Sequence, residues 1–114
     1  MGDTPFTSVK ETENFKVCFW EGVTPNDPGT PVLCDQRIPR SVQVYGNFGA
    51  GGSVYIEGSL DGVRWESIDQ SPGFPLTFNS EGLENVGTCP VWVRPRVEGS
   101  SATKINVYLL MRKG

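Results

Sequence analysis

Strict alternation of apolar and polar residues dominates the middle of this chain. Over Ser41–Phe48, Val42, Val44, Gly46 and Phe48 fall on one side and Gln43, Tyr45 and Asn47 on the other. Over Ser53–Leu60, Val54, Ile56, Gly58 and Leu60 line up in the same way. A period of two places successive side chains on opposite faces of a strand, so each run predicts a half-buried strand of an antiparallel sheet. Gly49–Gly52 lies between the two runs and predicts a hairpin connection. Asp61-Gly62 follows the second run and predicts a tight type I′ turn into Trp65 and Ile68. The local pattern is that of a meander.

The rest of the chain has the same character. Phe15–Trp20 alternates, with Phe15, Val17 and Phe19 on one face and Lys16, Cys18 and Trp20 on the other. Glu21–Pro31 is a dense turn segment with its apex at Asn26-Asp27-Pro28-Gly29. Val32–Cys34 is a short strand. Phe74–Asn79 is another, interrupted by Pro75 and so placed at an edge. Val91–Val97 sets Val91, Val93, Pro95 and Val97 against Trp92, Arg94 and Arg96, again with an edge or bulge at the proline. Lys104–Met111 closes the domain with Ile105, Val107, Leu109 and Met111 on one face. No window shows helical periodicity free of Gly or Pro. Eight to nine short strands with frequent turn signals predict an all-β fold: an antiparallel β-sandwich, jelly-roll-like, with its core on the purely aliphatic faces. The glycines inside strands, Gly46 and Gly58, mark close approaches where a ring such as that of Trp65 fits.

The 114 residues suit one domain, residues 15–114, preceded by a flexible N-terminal arm, residues 1–14. The arm's large apolar residues are Phe6 and Val9, which either dock on the domain or are presented to a partner. Fourteen glycines and nine prolines reflect many turns, since three Trp, three Tyr and six Phe do not suit a disordered chain. Net charge is −3 and no basic run occurs, so no nucleic-acid partner is expected. No apolar stretch approaches the roughly 18 residues of a membrane span, and the N-terminal stretch lacks the apolar region of a secretory leader.

Chemistry is sparse. The absence of histidine removes the Ser-His and Cys-His nucleophile systems and the commonest zinc ligand. Cys18, Cys34 and Cys89 are too widely spaced for a metal site or a disulfide framework and suit buried thiols in a reducing cytoplasm. A Cys18–Cys34 bridge requires their β-carbons to face each other. Glu57, Asp61, Glu66 and Asp69 offer carboxylates, but their spacing singles out no glycosidase pair. The expectation is no enzyme, no cofactor and no metal. Trp20, Tyr45, Tyr55, Trp92 and Tyr108 are aromatics that an exposed sheet face would present to a sugar ring.

Ser59-Leu60-Asp61-Gly62-Val63-Arg64-Trp65 is similar to the S-x-D-G-x-x-W hairpin of discoidin-like and related carbohydrate-binding sandwiches, in which the tryptophan packs beneath the turn. From Ser41 to Met111 the chain resembles small all-β virion structural proteins of tailed bacteriophages, on Val42–Gly46, Gly58–Trp65, Val93–Val97 and Ile105–Leu109. That resemblance implies a capsid decoration or cement protein. Such a protein is made in the host cytoplasm, sits on the capsid exterior as a homo-oligomer, often a trimer, and binds the major capsid protein. Residues Thr4, Pro5, Phe6 and Val9 are the expected capsid contact, with Phe6 as anchor. The alternative is a tail-associated carbohydrate- or receptor-binding sandwich.

Overall fold

The computed structural model describes residues 3–34 and 36–113. It contains strands β1 (Phe6–Glu11), β2 (Phe15–Val23), β3 (Val32–Leu33), β4 (Arg37–Asn47), β5 (Ser53–Ser59), β6 (Glu66–Ser67), β7 (Asp69–Ser71), β8 (Phe74–Pro75), β9 (Thr77–Phe78), β10 (Gly82–Asn85), β11 (Trp92–Glu98) and β12 (Lys104–Lys113). All pairings between these strands are antiparallel. The first sheet has the order β1-β2-β12-β4-β10; the second runs β3-β11-β5-β6, with β9 also on β5; β7 and β8 form a small ribbon. The all-β, sandwich-like prediction holds at that level. The twelve strands exceed the expected eight to nine because several are two-residue pieces. Phe74–Asn79, for example, divides at Leu76, whose side chain is fully buried.

The aliphatic faces form the core as expected. Val42 and Val44, Val54 and Ile56, Val93 and Val97, and Ile105 through Met111 at alternate positions meet between the two sheets. β2 is the exception. Its buried face is Cys18 and Trp20, while Val17 and Phe19 point outward. Both faces of that strand are apolar, so alternation alone could not choose between them. The choice is made by a slot that fits the indole. Trp20 Nε1 donates to the Thr30 carbonyl at 3.0 Å. The Phe6 ring lies 5.6 Å from Trp20, centroid to centroid. Gly29 separates Trp20 from Pro95 so closely that a β-carbon there would lie 2.8 Å from the indole and 2.5 Å from the proline ring. Trp20 is therefore 1 % exposed and unavailable to a sugar, contrary to expectation.

Two loops also differ from the expected meander. β4 and β5 belong to different sheets, so Gly49–Gly52 is a crossing between layers and not a hairpin. Thr103 Oγ1 donates to the Phe48 carbonyl at 2.8 Å and fixes that crossing. The Asp61-Gly62 pair sits within a six-residue loop, 60–65, between β5 and β6 instead of forming a two-residue turn. Ser59 Oγ accepts from the Gly62 N–H at 2.8 Å, and Asp61 Oδ1 accepts from the Val63 and Arg64 N–H groups at 2.9 Å each. The carboxylate substitutes for a backbone turn. Trp92, not Trp65, lies nearest to Gly62, and Gly58 faces Ile68 and Pro90.

The stretch expected as a loose arm carries β1. It is an edge strand paired with β2 and bulged at Val9, between Ser8 and Lys10. Thr12 Oγ1 closes the β1–β2 hairpin by accepting from the Asn14 and Phe15 N–H groups. At the other end, the Thr4 N–H donates to Pro28 O and the Thr30 N–H to Thr4 O, each at 2.8 Å.

Gly29→Ala should destabilise the protein by about 1–3 kcal/mol through overpacking of the Trp20 slot. Urea unfolding followed by Trp fluorescence measures this. An unchanged midpoint would show that the slot yields freely.

Candidate functional site

The outer faces of the two sheets differ in chemistry. On the second sheet, β5 and β11 pair Glu57 with Arg94 and Tyr55 with Arg96. Glu57 Oε1 accepts from Arg94 Nε at 3.0 Å, and Glu57 Oε2 from Arg96 Nε at 2.8 Å. Arg96 also bonds Glu98 at 2.6 Å. The Arg94 guanidinium lies 4.3 Å from the Trp65 ring centre and that of Arg96 lies 4.6 Å from Tyr55. Each charge on this face meets its opposite, and each of these two rings already carries a cation. A buried carboxylate held this way is satisfied, so the face has little left to offer a ligand.

Of the four carboxylates weighed as acid–base groups, Glu57 is thus held by two arginines and Asp61 caps its loop. Glu66 and Asp69 line a shallow depression of about 480 Å³ with Arg64, Thr88 and Cys89. Cys18, Cys34 and Cys89 are free thiols. Burial pushes the Cys18 thiol up and that of Cys34 up to about 12. Cys18 is on the first sheet and Cys34 follows β3 of the second, so they are not on neighbouring strands.

The outer face of the first sheet is the candidate site. Inward positions of β2, β4 and β12 are taken by the core, which sends Val17, Phe19, Tyr108, Leu110 and Tyr45 outward. Phe19 and Tyr108 are register partners and stack at 4.4 Å, with 21° between their planes. Tyr45 continues the row at 6.1 Å from Tyr108. A hydrogen bond with Tyr108 raises the Tyr45 phenol above its ordinary pKa. Beside this row, Val17, Ser41, Gln43, Leu83, Tyr108 and Leu110 line an open groove of about 380 Å³. Leu83, on β10, is 63 % exposed. A solvated sheet face is ordinarily polar, so this joined apolar face is what sets the first sheet's outer surface apart.

Size decides what kind of contact. The apolar area spans about 14 Å across four strands and about 14 Å along them. That is roughly a quarter of the ~800 Å² each partner contributes to a standard interface. It can serve as the apolar centre of an interface, but a polar rim has to supply the remaining area.

The residues expected to contact a partner are distributed differently. Thr4 is bonded to the 27–30 loop and Phe6 packs on Trp20, within the domain. Pro5 and Val9 are exposed and are not among the residues that line the groove. Tyr45 and Tyr108 were legible as surface aromatics. Phe19, Leu83 and Leu110 were not, although apolar residues on both parities of Val17–Trp20 and Val107–Met111 carry the signal. No protein-family model matches the sequence, and a search of curated proteins finds no match.

The Asp61 carboxyl is held well below the ordinary carboxylate range, first by the Arg64 and Val63 N–H groups and then by Ser59. A depressed folded-state pKa means that the unfolded chain takes up the proton first. The contribution is therefore complete above the unfolded value of 3.8 and fades as pH falls below it. Asp61→Asn should flatten the loss of stability between about pH 4 and pH 2. Thermal melts across that range check this, and parallel profiles for the two proteins would refute it.

Proposed function

We propose that this protein is a non-enzymatic virion structural protein of a tailed bacteriophage. In this reading it is a head decoration or cement protein that binds the major capsid protein on the outside of the head. The observation that carries the reading is the apolar outer face of the first sheet: a rigid, pre-formed surface centred on Phe19, Tyr108 and Leu83. Such a face suits burial against another protein without rearrangement, which keeps the ordering cost of binding low. The motif resemblance from Ser41 to Met111 supports the same reading. Homo-oligomerisation, with a trimer favoured, belongs to it, as does location on the capsid exterior.

Leu83→Asp places a charge on the most exposed apolar side chain of that contact, on its β10 side. The side chain is exposed on a strand edge, so stability should change by less than about 0.5 kcal/mol. Binding to bare heads should fall at least about tenfold. Cosedimentation with heads measures it, and undiminished occupancy would refute the assignment of the face.

The second reading is a tail-associated module that recognises a carbohydrate or receptor. The Phe19–Tyr108–Tyr45 row favours it, because stacked rings bordered by the Gln43 and Asn106 amides offer both the apolar platform and the hydrogen bonds a sugar needs. A glycan screen tests it: retained hits that vanish with Tyr108→Ala would favour this reading, and a blank screen would remove it.

A further inference from the structure

The charges of this chain are sorted along the strands of the first sheet. Six of its ten Lys and Arg, namely Lys10, Lys16, Arg37, Arg40, Arg112 and Lys113, lie at one end. The register brings them together: Lys10 opposes Val17, Lys16 opposes Met111, Arg112 opposes Phe15, and Lys113 opposes Arg37. Glu11 and Glu13 answer them, and Glu84 on β10 adjoins Arg40, whose carbonyl accepts from the Val86 N–H. Asp35 adjoins this end in the sequence and, counted as well, leaves an excess of two positive charges in a chain of net −3. The opposite end reverses the sign. Asp3, Glu21, Asp27 and Glu81 gather there with Lys104, as shown by the bonds from Thr4 to the Asp27 carbonyl and from the Gly46 N–H to Glu81, and by the pairing of Lys104 with Asn47.

Ion pairing follows the same division. Outside the basic end, Arg64, Arg94 and Arg96 each hold a carboxylate within 4.0 Å. At the basic end, among the described residues, only Arg37 does, through Glu11 at 3.2 Å. The Arg37 Nε is buried and has no hydrogen-bond partner. Arg37, Lys113, Glu13 and Gln36 surround an open pocket of about 340 Å³ beside it. The Arg112 guanidinium rests 6.0 Å from the Phe15 ring centre at this end, whereas the Lys16 ammonium reaches back along β1 to 5.8 Å from the Phe6 ring.

We propose that this basic end docks a carboxylate-rich patch on a protein partner. The inference rests on charge placement and holds whichever of the two functional readings is right. Ten residues of β12 separate the ends by about 30 Å, several times the ~8 Å Debye length at physiological salt, so the basic end acts on its own. Its width, four strands at about 4.8 Å spacing, matches a compact cluster of carboxylates. A nucleic-acid backbone carries a charge about every 1.7 Å of duplex and needs a continuous basic track. Here such a track would run toward an acidic end. The basic end adjoins the apolar groove through Lys16–Val17, Arg40–Ser41 and Leu110–Arg112, and so supplies a rim for that surface.

The test uses a fluorescein-labelled hexaglutamate peptide and a hexathymidylate oligonucleotide, titrated with the whole protein by anisotropy at about 20 mM and about 150 mM salt. The peptide should bind at low salt and weaken at high salt. Arg112→Gln combined with Lys113→Gln, both exposed positions, should weaken it about tenfold, equivalent to about 1.4 kcal/mol. Lys10→Gln, on the edge strand, should give a smaller loss. Arg64→Gln, 86 % exposed and far from this end, should change binding less than twofold. No peptide binding at low salt, an equal loss from Arg64→Gln, or tighter binding of the oligonucleotide would each overturn the proposal.

Discussion

The seating of Trp20 is the constraint on which the remaining structure depends. The indole brings together three separate parts of the chain: Phe6 from β1, Gly29 and the Thr30 carbonyl from the long loop, and, on the far side of Gly29, Pro95 of β11. A buried tryptophan needs a partner for its N–H, and here the partner is a loop carbonyl that therefore has to stay in place. The Gly29 N–H in turn donates to the Pro95 carbonyl at 2.9 Å, which covers the edge of β11 just where β3 ends. One side chain thus links the two sheets, fixes a turn-rich loop and draws the first strand onto the domain.

Much of the core could be read from the sequence, because β4, β5 and β11 alternate cleanly, and β12 sets the wholly aliphatic row Ile105, Val107, Leu109 and Met111 against a row that also carries Asn106 and Tyr108. The failures share a physical cause. Val17–Trp20 is apolar on both parities, so the buried face was fixed by a slot assembled from residues far away in sequence. Gly49–Gly52 looks like a hairpin because a glycine-rich link between two alternating runs usually is one; nothing local reveals that the runs belong to different layers. Asp61-Gly62 is equally at home in a two-residue turn and in a longer loop capped by the aspartate. Phe6 was ambiguous because its role depends on Trp20, fourteen positions later. For the candidate surface, two of the aromatics were visible, but their juxtaposition with Phe19 and Leu83 came from strand order.

The two outer faces show how similar residues can serve opposite ends. Arginines, aromatic rings and a glutamate on the second sheet satisfy one another and leave little exposed potential. On the first sheet the rings stack among themselves and, among the described residues, the cations at the strand ends lie outside carboxylate reach, apart from Arg37. A protein that interacts through one side needs this asymmetry, since a second adhesive face would favour open-ended association.

The position of β12 has a consequence for how the molecule comes into being. It is the twelfth strand, yet it lies between β2 and β4 at the middle of the first sheet. Those two earlier strands have no bonds to each other and are bridged only by it. During synthesis, therefore, half of the sandwich must wait with its apolar faces uncovered until the chain through Lys113 has been made. The loop-closure entropy of such distant pairings makes assembly slow, and the waiting strands are exposed to wrong partners meanwhile. For the proteostasis of the cell that makes it this is a late-closing protein, whose yield depends on what shields β2 and β4 before their shared neighbour arrives.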